Sequence, residues 1–204
     1  KPVYWFMNRP KDGAFMSTHP KYGTVYSVAD AKEMLDLVRR ERGYMYQTHP
    51  RTKGSTGFPD RILTTDHFRD ASYLGVGWKA MPSDLSSPRL GDRVLDLLDE
   101  LNNQGLRKRL LGEVDVFQVD HTHELYAHMN INYVRLERLP AFDRWGDALA
   151  PLPKGEFFTT TGEVLLPDVT LASSSANEIV AKARVSWTFP LRFAEIVWGD
   201  GQTT

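Results

Sequence analysis

Apolar and polar positions follow two periods in the first 140 residues of this chain. Short runs rich in aromatic and β-branched residues predict strands, and longer stretches with apolar residues at helical spacing predict helices. The predicted strands are residues 3–7, 14–18, 44–48, 72–78 and 110–119. Because strands alternate with helices, the pattern favours parallel βα units and an α/β fold.

Two amphipathic helices account for the helical periodicity. The first opens in residues 27–30, has Leu35 and Val38 among the apolar residues of one face, and ends at Gly43. The second spans residues 90–103. Its apolar stripe consists of Val94, Leu97, Leu98 and Leu101.

The pattern changes after about residue 140, where prolines separate short apolar stretches. Residues 157–166 predict one strand, and residues 179–187 and 192–198 predict an antiparallel pair joined around Pro190. The aromatic residues of these late strands are predicted to be core residues: Trp187, Phe189, Phe193 and Trp198. We therefore divide the chain into an α/β part, residues 1–140, and a β-rich, sandwich-like segment, residues 141–204, and expect a fragment of a longer protein.

Composition removes several classes of function. The chain has no cysteine, which excludes disulfide scaffolds, thiolate metal sites and cysteine nucleophiles. The formal net charge of −1 gives no general attraction to nucleic acid or to anionic lipid. No apolar run approaches the roughly 20 residues that span a bilayer. The sequence leaves the oligomeric state and the compartment open.

Histidines and carboxylates gather where predicted strands end. Two strands end in Thr-His-Pro, at His19 and at His49, and the strand 110–119 is followed by Asp120, His121 and His123. In a parallel sheet or barrel such strand ends converge on one face. Imidazole and carboxylate without thiolate suit Zn²⁺, Mn²⁺ or Fe²⁺, so the pattern predicts a divalent metal site. For each His-Pro alone, an ordinary turn is the alternative.

Neighbouring residues have a functional and an ordinary interpretation. Glu124 and His128 have i,i+4 spacing and are either a ligand pair or part of a solvated face. Arg51 and Lys53 lie in a loop rich in Gly, Ser and Thr directly after His49. They are candidates to hold a small anionic substrate, and the alternative is an ordinary polar loop.

Several of these motifs resemble one family. Thr48-His49-Pro50-Arg51, then Asp120 with nearby histidines, then Gly155-Glu156-Phe157-Phe158-Thr159-Thr160-Thr161-Gly162, resemble the PHP (polymerase and histidinol phosphatase) domain. The closer likeness is to its CehA/McbA-like metallohydrolase branch. The resemblance implies part of a distorted (β/α)₇ barrel, a cluster of two or three metal ions, and hydrolysis of phosphate or related esters. It matches His19 and His49 to mid-chain ligands and Asp120 to the aspartate of a final Asp-x-His motif.

The chain departs from the family pattern in two places. The early His-x-His pair and the His and Glu ligands that follow it have no counterpart here. The final motif is irregular, and either His121 or His123 takes the ligand role. Two alternatives therefore stay open: a non-catalytic carbohydrate- or protein-binding module, and a metal-free relative that keeps the fold.

Overall fold

The computed structural model contains both helices and strands, and it describes residues 3–48, 50, 66–79, 86, 88–89, 92–114 and 130–199. The chain divides into two compact units. One consists of Lys1–Tyr46 and Asp60–Leu74, and the other of Gln47–Pro59 and Gly75–Thr204. No helix in the described ranges is long and apolar enough to cross a membrane.

The first unit is built on a three-stranded sheet. Strands β1 (Tyr4–Met7), β2 (Met16–His19) and β3 (Gly23–Val28) lie in the order β1-β3-β2. Strand β1 runs parallel to β3, whereas β2 runs antiparallel to it and forms a hairpin. The prediction of parallel βα units therefore does not extend to β2.

Helix α1 (Ala31–Arg40) starts later than the sequence pattern predicts. Residues 27 and 28, assigned to the helix from sequence, are the end of β3, a strand that the sequence analysis missed. The helix begins after Asp30, whose carboxylate accepts a hydrogen bond from the backbone N–H of Glu33 at 2.9 Å. Glu33 in turn accepts one from the N–H of Ala29 at 2.7 Å, so the two acidic side chains cap the first turn reciprocally.

The core of this unit lies between α1 and β3. Tyr26, Val28, Leu37 and Val38 are buried together, and Phe15, Met34 and Met45 pack against them. The hydroxyl of Tyr26 donates to Glu41 at 2.6 Å. Asp70 follows a 3₁₀ turn, Asp66–Arg69, and accepts hydrogen bonds from Arg39 and from the N–H of Ser72.

A βαβ arrangement follows along the chain. Strands β4 (Met45–Gln47), β5 (Tyr73–Trp78) and β6 (Arg109–Gly112) form a sheet in the order β4-β5-β6, and β5 runs parallel to β6. Helix α2 (Asp92–Asn103) connects β5 to β6. Three residues of its predicted stripe, Val94, Leu97 and Leu101, are fully buried, so this helix and its apolar face are confirmed.

Two short strands and two short helices come next. Strands β7 (Ile131–Val134) and β8 (Phe157–Thr160) pair in antiparallel fashion. Between them lie α3 (Trp145–Leu149) and α4 (Pro151–Lys154), the second of which ends at Gly155 in the left-handed conformation. The guanidinium of Arg109 donates to the carbonyl of Pro153 at 3.0 Å.

The C-terminal strands pair differently from the prediction. Strand β9 (Val164–Ser175) forms a long hairpin with β10 (Glu178–Trp187), and residues 192–198 form no strand. The predicted pairing of 179–187 with 192–198 is therefore wrong. Pro167 and the serines near the turn disguise β9 in the sequence, although proline is tolerated in a strand with a free edge.

The predicted core role of the late aromatic residues is also wrong. Trp187, Phe189, Phe193 and Trp198 are all exposed, with 49% to 75% of their surface accessible. The apolar residues of a two-stranded hairpin need another layer against which to pack, and the described residues supply none here. The mixed helix-and-strand class is confirmed, and the sheets formed by the described residues have two or three strands each.

Candidate functional site

The carboxyl ends of β5 and β6 bring two buried ionisable residues to one edge of a sheet. The parallel register places Trp78 beside Gly112, and the next residues along the chain are Lys79 and Glu113. These two residues are only 3% and 7% exposed. The N–H of Glu113 donates to the carbonyl of Trp78 at 3.1 Å, which extends the ladder one residue beyond the strands. This edge is where open α/β sheets bind their ligands.

The side chain of Asn130 joins the two strand ends. Its amide nitrogen donates to the carbonyl of Trp78 at 3.2 Å and to the carbonyl of Glu113 at 2.7 Å. Because both partners are acceptors, the amide nitrogen must face them and the orientation of the amide is fixed. The residue is 4% exposed.

The side-chain oxygen of Asn130 is the exception in this arrangement. It is buried and has no hydrogen-bond partner among the described residues. A buried acceptor without a donor costs about 1–3 kcal/mol, and native proteins contain few of them. A group of this kind, beside two buried ionisable residues at the binding edge of a sheet, marks a candidate ligand site.

Asn132 and Thr159 hold the end of β6 from the other side. The oxygen of the Asn132 amide accepts from the N–H of Gly112 at 2.8 Å, and its nitrogen donates to the Gly112 carbonyl at 2.9 Å. The hydroxyl of Thr159 lies 2.9 Å from the Asn132 oxygen and 3.2 Å from the carbonyl of Leu110. The side-chain amide thus replaces the peptide group of a neighbouring strand.

Only glycine fits at position 112. A Cβ atom there would lie 2.7 Å from Cγ2 of Thr159 and 3.0 Å from Cβ of Asn130, closer than ordinary contacts allow. Gly112 therefore lets β7 and β8 approach β6 closely enough for both asparagines to reach its backbone. This contact fixes the backbone position of Glu113.

His19 lies at the last position of β2, opposite Gly23 in the β2–β3 hairpin. Its Nδ1 accepts hydrogen bonds from the N–H groups of Lys21 at 3.2 Å and Tyr22 at 3.3 Å, and its ring stacks on Tyr22 with centroids 4.7 Å apart. The Thr-His-Pro sequence here builds a hairpin turn that the histidine side chain stabilises.

In this arrangement Nδ1 of His19 is engaged by the turn, and the metal-ligand role of His19 stays a prediction. When Nδ1 of a neutral imidazole accepts, Nε2 carries the proton and has no lone pair to offer. Metal-bound histidines show the opposite arrangement, in which the second nitrogen donates to an oxygen. His19 would have to release the turn before it could coordinate an ion.

The remaining predicted site residues lie outside the described residues, and their roles stay predictions. They are the candidate ligands His49, Asp120, His121 and His123, the candidate substrate-binding residues Arg51 and Lys53, and the neighbours Glu124 and His128. Within the described part of the chain, no group of three or more histidine or acidic side chains is arranged to hold a metal ion.

Sequence reasoning missed Lys79, Glu113 and Asn130. Each is a single polar residue next to a strand, and such residues usually begin solvent-exposed loops. One signal was present: Asn130 and Asn132 are two residues apart, which places two amides on the same face of an extended segment.

Comparison with protein-family models, with curated proteins and with solved structures finds no match to this chain.

Proposed function

We propose that this chain belongs to a metal-dependent hydrolase of the PHP type that acts on phosphate or related esters. The observation that carries the proposal is the pair of buried ionisable residues, Lys79 and Glu113, at the carboxyl ends of two adjacent parallel strands. In the proposal, the β5–α2–β6 unit is one section of a distorted (β/α)₇ barrel, whose active site lies at this edge.

The two residues have complementary roles in the proposed reaction. The ammonium group of Lys79 attracts an anionic ester and counters the charge that develops on its oxygens. The carboxylate of Glu113 is suited to accept a proton from an attacking water. Burial strengthens both effects, because charges interact more strongly where water is excluded.

The metal part of the proposal rests on residues beyond the described ranges. His49, Asp120 and either His121 or His123 would hold a divalent ion such as Zn²⁺, Mn²⁺ or Fe²⁺. Such an ion supplies Lewis-acid polarisation and lowers the pKa of water. Arg51 and Lys53 would add positive charge for the substrate.

A lysine substitution tests the role of the strand ends. We expect Lys79→Met to lower kcat/KM for p-nitrophenyl phosphate about 10- to 100-fold, because a hydrogen bond to a charged group contributes about 1.5–3 kcal/mol. Lys108 is the matched control, since it is 8% exposed and immediately precedes β6, at the opposite end of the strand. Lys108→Met should leave kcat/KM within about threefold of the native value, a difference of under 1 kcal/mol.

Two outcomes would contradict the proposal. One is a native protein that fails to hydrolyse phosphate esters when supplied with Zn²⁺, Mn²⁺ or Fe²⁺. The other is an equal loss of activity in both lysine variants, which would attribute the effect to the burial of a lysine and not to its place at the carboxyl edge.

A second candidate function is supported by the exposed aromatic residues at the C-terminal end. Trp187, Phe189 and Trp198 present 56%, 61% and 75% of their surface, and flat aromatic faces of this kind are common in binding sites. This exposure favours a carbohydrate- or protein-binding module. Retention of the native chain on immobilised polysaccharides, lost in Trp187→Ala and Trp198→Ala but not in Lys79→Met, would support binding over hydrolysis.

A further inference from the structure

We propose that the side-chain oxygen of Asn130 accepts a hydrogen bond from a hydroxyl group of the substrate. The substrate would then be a phosphate ester whose alcohol part carries a further hydroxyl group, as in a polyol or sugar phosphate. This inference rests on the proposed function and adds the chemical class of the substrate.

The geometry of the amide supplies the first step. Both hydrogens of the Asn130 nitrogen are directed to carbonyl oxygens, of Trp78 at 3.2 Å and of Glu113 at 2.7 Å. The amide cannot be reversed, because its oxygen would then face two other oxygens. The oxygen must therefore point away from the strand ends, and it needs a donor.

The nature of that donor follows from charge. An ester oxygen or a phosphate oxygen is itself an acceptor, so it would be repelled by the Asn130 oxygen. A hydroxyl group is uncharged and donates, so it satisfies the amide oxygen without adding charge to a buried site.

The position of Lys79 indicates where the phosphate group of the substrate would bind. It follows Trp78 directly, and Asn130 is bonded to the carbonyl of Trp78, so the two residues meet at the same strand end. Lysine is a point charge suited to phosphate. The strand ends thus bring together a cation, Lys79, that is suited to phosphate and a neutral acceptor, the Asn130 oxygen, that is suited to a hydroxyl group. The carboxylate of Glu113, the proposed proton acceptor, lies at the same edge.

Two phosphate esters of similar size test the proposal on the full chain. Glycerol 3-phosphate carries two free hydroxyl groups, and propyl phosphate carries none. By isothermal titration calorimetry we expect glycerol 3-phosphate to bind about tenfold more tightly, the gain typical of one buried hydrogen bond. Asn130→Ala should remove this difference while inorganic phosphate continues to bind.

Lys108→Met is the control for the loss of a buried polar side chain. Lys108 is 8% exposed and immediately precedes β6, at the end of the strand away from Asn130. If the preference for glycerol 3-phosphate depends on the Asn130 oxygen, Lys108→Met retains it. If both variants lose the preference, it does not depend on the Asn130 oxygen and the proposal is overturned.

The native protein provides a test that needs no variant, should Asn130→Ala fail to fold. In the assigned ¹⁵N spectrum, glycerol 3-phosphate should shift the side-chain amide signal of Asn130 more than propyl phosphate does. Equal affinities and equal shifts would mean that a structural water satisfies the oxygen, and this inference alone would fail. Absence of binding by both esters and by inorganic phosphate would overturn the proposed function as well.

Discussion

Two asparagines that contact the end of β6, Asn130 and Asn132, differ in how they use their side-chain amides. Asn132 uses both atoms of its amide on the backbone of Gly112, so it is a structural clamp. Asn130 uses only its nitrogen on the strand ends and leaves its oxygen without a partner among the described residues. Asn130 therefore still has a hydrogen-bond acceptor that a ligand could use, whereas both amide atoms of Asn132 are bonded to the protein.

A carboxylate in the first unit predicts a dependence of stability on pH. Hydrogen bonds from the Arg39 guanidinium hold the pKa of Asp70 below its ordinary value of 3.8, and the N–H of Ser72 adds to this effect. A lowered pKa in the folded state stabilises the protein above the ordinary value, and this stability is lost as the pH falls through the folded value.

Substitution of this carboxylate should therefore matter at neutral pH and not in acid. We expect Asp70→Asn to lower the free energy of unfolding at pH 7, and the difference from the native protein to shrink as the pH falls below the ordinary carboxyl pKa of 3.8. Urea denaturation at several pH values measures it. Asp36→Asn, which removes a more exposed neighbour of Arg39, is the control and should have a smaller effect. A difference for Asp70→Asn that is independent of pH would argue against the ion pair.

At the residue scale, the sequence did not predict the turn contacts of His19 or the buried positions of Lys79 and Glu113. His19 stands out in the sequence because Thr-His-Pro ends a strand, but its Nδ1 is bonded to the turn. Lys79 and Glu113 are inconspicuous in the sequence, because only the pairing of β5 with β6 makes them neighbours. Pairing between distant segments leaves no local pattern from which it can be predicted.

At the scale of elements, helix α2 buries its apolar side chains, whereas the β9–β10 hairpin exposes most of its own. Leu97 of α2 is fully buried, whereas Leu171 of β9 has 72% of its surface exposed. The face of the hairpin with Leu171 also carries Val169 and Ile179, both exposed, and the opposite face carries the ion pair of Asp168 with Arg184. The hairpin therefore contributes little apolar burial in this chain.

The contrast predicts very different effects for the same substitution. Leu97→Ala should destabilise the protein by about 2–5 kcal/mol, since it removes buried methyl groups and leaves a cavity. Leu171→Ala should change the stability by no more than about 0.5 kcal/mol. Chemical denaturation of both variants measures this, and a large loss for Leu171→Ala would show that its face of the hairpin is covered in solution.

The sequence correctly predicted the elements that have a clear apolar pattern. Helix α2 has its apolar stripe at helical spacing, and β5 is a continuous apolar run. Strand β3 was missed because Thr24, Tyr26 and Ser27 mix polar and aromatic residues next to a helix cap. Strand β9 was missed in part because its exposed half is rich in serine, as loops are.

For the whole molecule, the metal expectation can be tested at once. We predict about one or more equivalents of Zn, Mn or Fe per chain, measured by inductively coupled plasma mass spectrometry on protein purified without chelator. His49→Ala should lose the metal, because His49 is a proposed ligand. His19→Ala should keep it, because the Nδ1 of His19 is bonded to the hairpin turn. Metal loss in both variants would show that His19 turns to coordinate, and absence of metal from the native protein would contradict the hydrolase proposal.

The hydrogen bonds from Asn132 and Thr159 to β6 also bear on aggregation of the protein. Among the described strands, β6 is the last in the order β4-β5-β6, and a strand in that position offers a template on which another chain can add a strand and aggregate. Here Asn132 covers the N–H and carbonyl of Gly112, and Thr159 covers the carbonyl of Leu110. A strand from another molecule would have to displace both side chains before it could pair with β6. The residues that position the candidate site therefore also protect this strand from intermolecular pairing.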